Sequence, residues 1–529
     1  MFRTRAPIVV CLLFPILIGQ GLAAQHNNVP IDRDITNDLE RSSAAIGSRV
    51  HTGLKPVLES RADLSDVMGY RKDTTKYYFW QAERLYRDHL LYVKGEDYFL
   101  ALDPLFRFEI GHDLGDPTAY ADTVRFHYNT RGFRLKGDIG ERFSFETMFH
   151  ETQTTLPQYL FRRALSEGVL SGQGRIKRDG WKKIDYGWSR ATISWAAADW
   201  LNVQLGHGVH FVGHGYRSVL LSDHAPAAPY LQFSFTTKNR WLQYTTWHTK
   251  LQSGVLQEDR LPTGAGGESL FYWKRARFNH LGISIGRIDL GLFEATIFRN
   301  IDGKGVREFD PLELNPVIGI NTIVNGFDGR YKSLVGADLR LKITDKAFLY
   351  GQIAIDDPDQ ERYAYQAGFH IFDLLRRDIH LQVEYNVAEP FTYMNDPAEL
   401  AYMHSGLPLA HPMGAYFDEI VAIADIGFDR WRLQLKANLG NYHLDTTDST
   451  SVGSDLRRPV TASISDQAPL VRQHFYLDAN LSYLFNPKTN LRAVIGFARR
   501  DLENAPDHQQ SGYLYVAVRT GLFNRYYDH

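Results

Sequence analysis

Four histidines crowd one stretch of this chain, Leu205 to Tyr230. They are His207, His210, His214 and His224, with Gly206, Gly208, Gly213 and Gly215 among them and Arg217 and Asp223 beside them. Three chemistries fit these residue types. His207, His210 and His214 have spacings that a loop can wrap around an ion, with His224 or Asp223 as a fourth ligand. Nothing in the sequence supplies the supporting shell such a site needs, so no metal is assigned. Ser218 or Ser222 with Asp223 and a histidine has the ingredients of a nucleophilic triad. The Gly-x-Ser-x-Gly elbow and its strand–turn–helix setting are missing, so no catalytic residue and no cofactor are assigned. The third chemistry is glycan binding, which uses aromatic faces and polar side chains together. The candidate ligand-binding set is His210, Tyr216, Arg217, Asp223, His224 and, from a second stretch, His411 and Tyr416. A structural alternative stands beside it: the glycines let the loop turn sharply, and Arg217 pairs with Asp223 to pin it.

Which reading holds depends on the elements that carry the stretch. From about residue 97 to the end, apolar residues recur at every second position, the period of strands. In Arg430–Leu439, Trp431, Leu433, Leu435, Ala437 and Leu439 alternate with Arg430, Arg432, Gln434, Lys436 and Asn438. Val335–Lys342, Ile379–Asn386 and Phe475–Tyr483 behave alike. About eighteen strands are expected, starting near Asp97, Thr123, Arg142, Asp185, Leu201, Leu231, Trp241, Phe271, Ile288, Lys332, Ala347, Arg362, Ile379, Asp418, Trp431, His474, Leu491 and Gly512. Their links tend to alternate between short (Gly140-Glu141, Gly286-Arg287, Thr344 to Lys346, Asn486 to Asn490) and long (Pro157 to Ile184, Gly213 to Tyr230, Asn300 to Tyr331, Pro390 to Phe417). That sorting, with one apolar and one charged face per strand, predicts an all-β transmembrane antiparallel barrel with lipid outside and water inside. An even strand count puts both chain ends on the short-turn, periplasmic side. The histidine-rich stretch then lies on the outer side, free to shape the mouth or fold into the lumen, as does the link carrying His411 and Tyr416. The acidic links Ile355 to Glu361 and Asp445 to Ser451 read as solvated loop tips.

The rest of the chain agrees with export. Met1-Phe-Arg-Thr-Arg, the apolar run Ile8 to Ile18 and Gly21 to Ala24 read as a cleaved signal peptide over residues 1–24. The single cysteine, Cys11, lies within it, so disulfides and thiol chemistry are excluded from the mature chain. Residues 25–95 are expected to form a small periplasmic helical segment, with helices over Ile31 to Val50, Leu54 to Met68 and Tyr78 to Tyr92. The barrel occupies residues 96–529. A formal net charge of −2 in 529 residues leaves no nucleic-acid footprint.

Gly206-His-Gly, Gly213-His-Gly-Tyr-Arg-Ser and Leu221-Ser-Asp resemble the signature region of the Wzi-like capsule-assembly outer-membrane proteins. Glu384-Tyr-Asn, Pro390 to Tyr393, Ala410 to Ala415, Asn486 to Asn490 and Leu522 to Tyr527 resemble the branch that includes gliding-motility-linked barrels. The resemblance runs from about residue 75 to the end. It implies an eighteen-stranded barrel with a periplasmic helical piece and a lectin-like hold on surface polysaccharide. It carries no catalytic residue with it. The alternatives are a component of a surface-adhesion, gliding-motility or protein-secretion assembly, with motility or secretion proteins as partners, and a diffusion channel.

Overall fold

A computed structural model describes residues 26–72, 75, 79–256, 271–302, 305–306, 310–327, 330–445, 451–460, 468–503, 509–521 and 523–529. The expected signal peptide lies outside them.

Eighteen antiparallel strands close into one barrel. In chain order they are β1 (Tyr98–Asp113), β2 (Phe126–Ile139), β3 (Phe143–Thr155), β4 (Lys183–Ala198), β5 (Leu201–Gly208), β6 (Ala228–Thr236), β7 (Leu242–Leu256), β8 (Phe271–Ile285) and β9 (Ile288–Arg299). The second half comprises β10 (Lys332–Thr344), β11 (Ala347–Asp357), β12 (Arg362–Ile371), β13 (Ile379–Ala388), β14 (Phe417–Phe428), β15 (Trp431–Leu444), β16 (Leu470–Asn486), β17 (Leu491–Glu503) and β18 (Gln509–Arg519). Each strand pairs with its sequence neighbours, and β18 closes on β1 from Tyr513↔Asp113 to Arg519↔Arg107. No edge is left, which is what hydrocarbon demands of a spanning sheet. The largest offset from the expected starts is β16, which begins at Leu470 and not at His474.

The alternation has its expected outward meaning. Leu435 and Leu439 of β15 are exposed, as are Ile193 of β4, Leu339 of β10 and Ile495 of β17. The charged face, however, looks onto a lumen that other parts of the chain largely occupy. Barrels of sixteen to eighteen strands leave an aqueous channel when nothing fills them. Here the chain itself fills it. The N-terminal segment enters from the short-turn rim, where Gly47 N donates to Gly286 O and Ile46 N to Asp345. The links 209–227 and 389–416 fold inward from the opposite rim. After β18 the last residues turn back and climb the lumen: Thr520 bonds to Phe106 O, Phe523 packs against the stacked His150 and Trp188, and Tyr527 stacks on Tyr128.

The N-terminal segment is less helical than the sequence suggests. Helix α1 (Arg33–Ser43) is capped by the Asp32 carboxylate, and a short α2 (Trp80–Tyr86) lies at the short-turn rim. Leu54 to Met68 is not a helix. Leu54–Lys55 forms a two-residue antiparallel pair with Phe211–Val212, and Pro56 follows directly. A strand partner waits in the plug, and that tertiary pairing overrides the helix-like local spacing.

Candidate functional site

The link 209–227 is the hub of this interior. Its first turn needs Gly213: φ is +110°, and a Cβ there would lie 1.9 Å from Gln352 Nε2. From that turn the chain presents its polar atoms to the barrel wall. Glu384 of β13 accepts from the backbone N–H groups of Tyr216 and Arg217 at 2.7 and 2.9 Å. Gln366 of β12 donates to Arg217 O, and Gln352 of β11 accepts from Val219 N. Link 389–416 seals it from the other side. Tyr393 and Tyr402 donate to Val219 O and Leu220 O, and Ser222 N donates to Leu409 O. Val219, Leu220, Tyr393 and Tyr402 have no exposed surface.

Arg217 sits at the centre. Its guanidinium grips Glu419 of β14 through two bonds of 3.0 Å and reaches Asp528 of the tail at 3.2 Å. His411 Nε2 lies 2.8 Å from Glu419, and Lys436 Nζ donates to Asp528 at 2.7 Å. Burial would raise the Asp528 carboxyl, but Arg217 and Lys436 hold it well below the usual carboxylate range. Asp223 does not meet Arg217, contrary to the pairing expected between them. It accepts instead from Asn524 at 2.9 Å and from the Tyr526 hydroxyl. The tail supplies both sets of partners and therefore buckles the link to the wall.

A second node joins the link to α1. Glu40 accepts from Lys55 at 2.9 Å, Arg340 at 2.7 Å and Thr52 at 3.0 Å, with His214 Nδ1 at 3.2 Å. Arg33 of α1 stacks on Tyr216, 3.6 Å from its ring centroid. Helix, link and tail thus form one polar lattice inside the barrel.

The seven candidate residues are placed as follows. Tyr216, Arg217, Asp223, His224 and His411 lie buried in this lattice, and His210 lies further along the same link, bonded to Gln232 and stacked on Trp247. Tyr416 stands apart, half-buried where link 389–416 meets β14 and stacked on His443 at 4.2 Å. The four histidines do not converge. His207 meets Ser189 O, His210 meets Gln232, His214 meets Glu40, and His224 packs edge-on to Tyr526 and His529. Among the described residues no group of three His, Cys, Asp or Glu side chains is arranged to hold an ion. Ser218 Oγ donates to Val212 O and Ser222 Oγ to Ala410 O, so both candidate nucleophiles are spent on backbone carbonyls. Sequence reasoning missed Glu40, Glu384, Glu419, Lys436 and Asp528. Two signals touched them: the resemblance motif that holds Glu384, and a chain that continues past its last strand to Asp528.

This lattice carries a pH prediction. Burial pushes the rings of His214, His224, His411 and His529 below their ordinary value, and those of His210 and His404 to about 4. They stay neutral in the folded plug, while unfolded histidines take up protons near pH 6.5. The unfolded state then binds more protons, so plug stability falls as pH drops below about 6.5 and levels off once the folded rings protonate. Hydrogen exchange of peptides from 209–227 and 523–529 should quicken at pH 5 relative to pH 7.5, after correction for intrinsic rates, while the strands stay protected. Equal protection of the plug at both values would refute this.

An antiparallel eighteen-stranded barrel, apolar outside and closed without an edge, defines the outer-membrane class of β-barrel proteins. Solved structures of that class resemble this chain. Wzi, described as an outer-membrane protein involved in group 1 capsule assembly in Escherichia coli and as a carbohydrate-binding β-barrel, superposes with a TM-score of 0.54. The match has 14% identity and covers 93% of this chain and 99% of Wzi. OccAB2 of Acinetobacter baumannii matches with a TM-score of 0.42 at 11% identity, over 80% of this chain and 97% of its own. OpdQ of Pseudomonas aeruginosa matches with 0.41 at 13%, over 79% and 98%. No family model and no curated protein sequence matches.

Proposed function

We propose that this protein is an outer-membrane barrel that binds or anchors surface polysaccharide through its long-loop, outward face. The observation that carries it is the filled lumen. Two inward links, the N-terminal segment and the tail occupy the interior and are tied to the wall by buried ion pairs at Arg217 and Glu40. A barrel stoppered in this way presents a surface and not a conduit. Wzi, which shares the fold, is described as carbohydrate-binding. In this orientation the short-turn rim, with α2 and residues 79–95, faces the periplasm. The buried candidates, Arg217 and Asp223 foremost, hold the plug that shapes the outer face, and Tyr416, half-buried, is the one of the seven left for contact with a ligand.

Deleting the gene in its native host should shift surface polysaccharide from the cell-bound fraction to the medium, and the wild-type gene should restore it. Unchanged cell-bound polysaccharide in the deletion strain would reject the proposal.

A further inference from the structure

At the end of the link from β3 to β4 the chain builds a short hairpin with the start of β4. Lys177–Asp179 pairs antiparallel with Lys183–Asp185, and the chain reverses at Gly180, where φ is +76°. Trp181 stands at the tip with 72% of its surface exposed. Lys177, Arg178 and Lys183 are exposed around it, with Arg125 exposed at the start of β2. Lys182 bridges two rings, its Nζ 4.1 Å from the centroid of Trp181 and 4.6 Å from that of Tyr120. None of these five cations forms an ion pair with a described carboxylate, although Asp122 and Asp179 are exposed nearby.

The height of the hairpin matters. Phe149 of β3, opposite Ser189, is an exposed outward ring. Beyond it the outward positions of β3, Glu151 and Gln153, are polar and exposed. Lys183 lies six residues beyond Ser189 on β4. That is roughly 20 Å along a strand and, with the usual tilt, about 15 Å along the barrel axis. On β3 and β4 the cations therefore stand beyond the last outward ring, on the long-loop side of the barrel.

We propose that this hairpin is a docking site for acidic sugar units of a surface polysaccharide. An exposed indole offers a flat face to the C–H side of a pyranose ring. Lysine and arginine side chains that lack a carboxylate partner stand beside it and take the sugar carboxylates by charge-assisted hydrogen bonds, Arg178 in place of its bonds to Gly180 O and Trp181 O and Lys182 in place of its bond to Thr123. Each such contact at an exposed site is weak. A polymer that repeats its acid group rebinds at high effective concentration, so weak contacts suffice. The site rests on the polysaccharide-binding reading and adds to it the sign of the polymer and the residues that meet it.

The test uses the full-length protein in detergent with two probes, polygalacturonate, a uronate polymer, and dextran, a neutral one. The wild type should bind polygalacturonate, more weakly as salt rises, and dextran far less. Replacing Lys177, Arg178, Lys182 and Lys183 together by glutamine should weaken polygalacturonate binding by roughly tenfold or more, and Trp181→Ala should weaken it with the charges intact. All five side chains lie outside the plug, so both variants should keep the wild-type resistance to detergent unfolding. Polygalacturonate binding unchanged in both variants overturns the site. Equal binding of dextran overturns the acidic preference and leaves polysaccharide binding standing. If the wild type ignores polygalacturonate but binds phosphatidylethanolamine vesicles doped with lipid A through the same residues, the hairpin is a lipid contact and the proposal fails. A deletion strain that keeps its polysaccharide rejects the wider function whatever the hairpin binds in vitro.

Discussion

Arg217→Ala is expected to cost the plugged state about 3–5 kcal/mol, the range for breaking a buried ion pair by removing one partner. The arginine has no exposed surface, and neither has Glu419. Its loss leaves two carboxylates facing each other across an empty site. Glu419 keeps His411, and Asp528 keeps Lys436 and the Tyr216 hydroxyl, so the damage is bounded. Repulsion between the carboxylates should push the tail outward and free link 209–227 with it. The strands pair independently of this node and should persist. Arg217→Lys keeps the charge but not the planar fork that meets Glu419 through two bonds, so it should fall between wild type and alanine. Asp223→Ala removes two neutral donors' shared acceptor and should cost less, about 1–3 kcal/mol. Limited proteolysis of the folded barrel in detergent reads all three, with cleavage expected inside 209–227 and the tail. Equal resistance of Arg217→Ala and wild type would show that the lattice does not hold the plug.

The barrel was legible because each strand carries its own signature. Leu435 and Lys436 differ in polarity whatever they touch, and a hydrocarbon exterior tolerates no exception long enough to blur the period. Link lengths likewise belong to the local sequence. The plug was not legible, because its logic is contact across hundreds of residues. Glu40 meets Arg340, Arg217 meets Glu419 and Asp528, and Asp223 meets Tyr526. No local pattern marks such partners. Arg217 and Asp223 sit close enough in sequence to suggest a pair, yet each found a better partner in the tail. Leu54 to Met68 misled for the same reason: its polar, helix-like spacing was read without the strand partner at Phe211–Val212 that decides its conformation. The glycines were informative in kind. Gly213 does bend the link inward, although towards the wall of β11 and not around a metal. The hairpin at 177–183 was passed over because its cations look like an ordinary solvated turn until their lack of carboxylate partners and the exposure of Trp181 are known.

Truncation after Gly521 is expected to have the largest effect on the interior. β18 ends at Arg519, and its pairing with β1 runs from Tyr513 to Arg519, so closure does not depend on the tail. What the truncation removes lies beyond Gly521: Phe523 against His150 and Trp188, Asn524 and Tyr526 on Asp223, Tyr527 on Tyr128, and Asp528 on Arg217 and Lys436. Arg217 keeps Glu419, but Lys436 is left without its carboxylate and Asp223 without donors. Water must then enter to solvate them, because a buried polar group without a partner costs about 1–3 kcal/mol. An eighteen-stranded barrel losing one of its fillings should pass ions. Planar-bilayer recordings should therefore find the full chain closed and the truncated chain conducting. A truncated barrel that folds and stays closed would show that the tail is ballast and that the inward links alone stopper the lumen. The same variant separates the plug from the outward face. If it conducts yet still retains polysaccharide on cells, sugar binding belongs to the rim; if conduction and retention change together, the tail's hold on Asp223 and Arg217 is what shapes the binding surface.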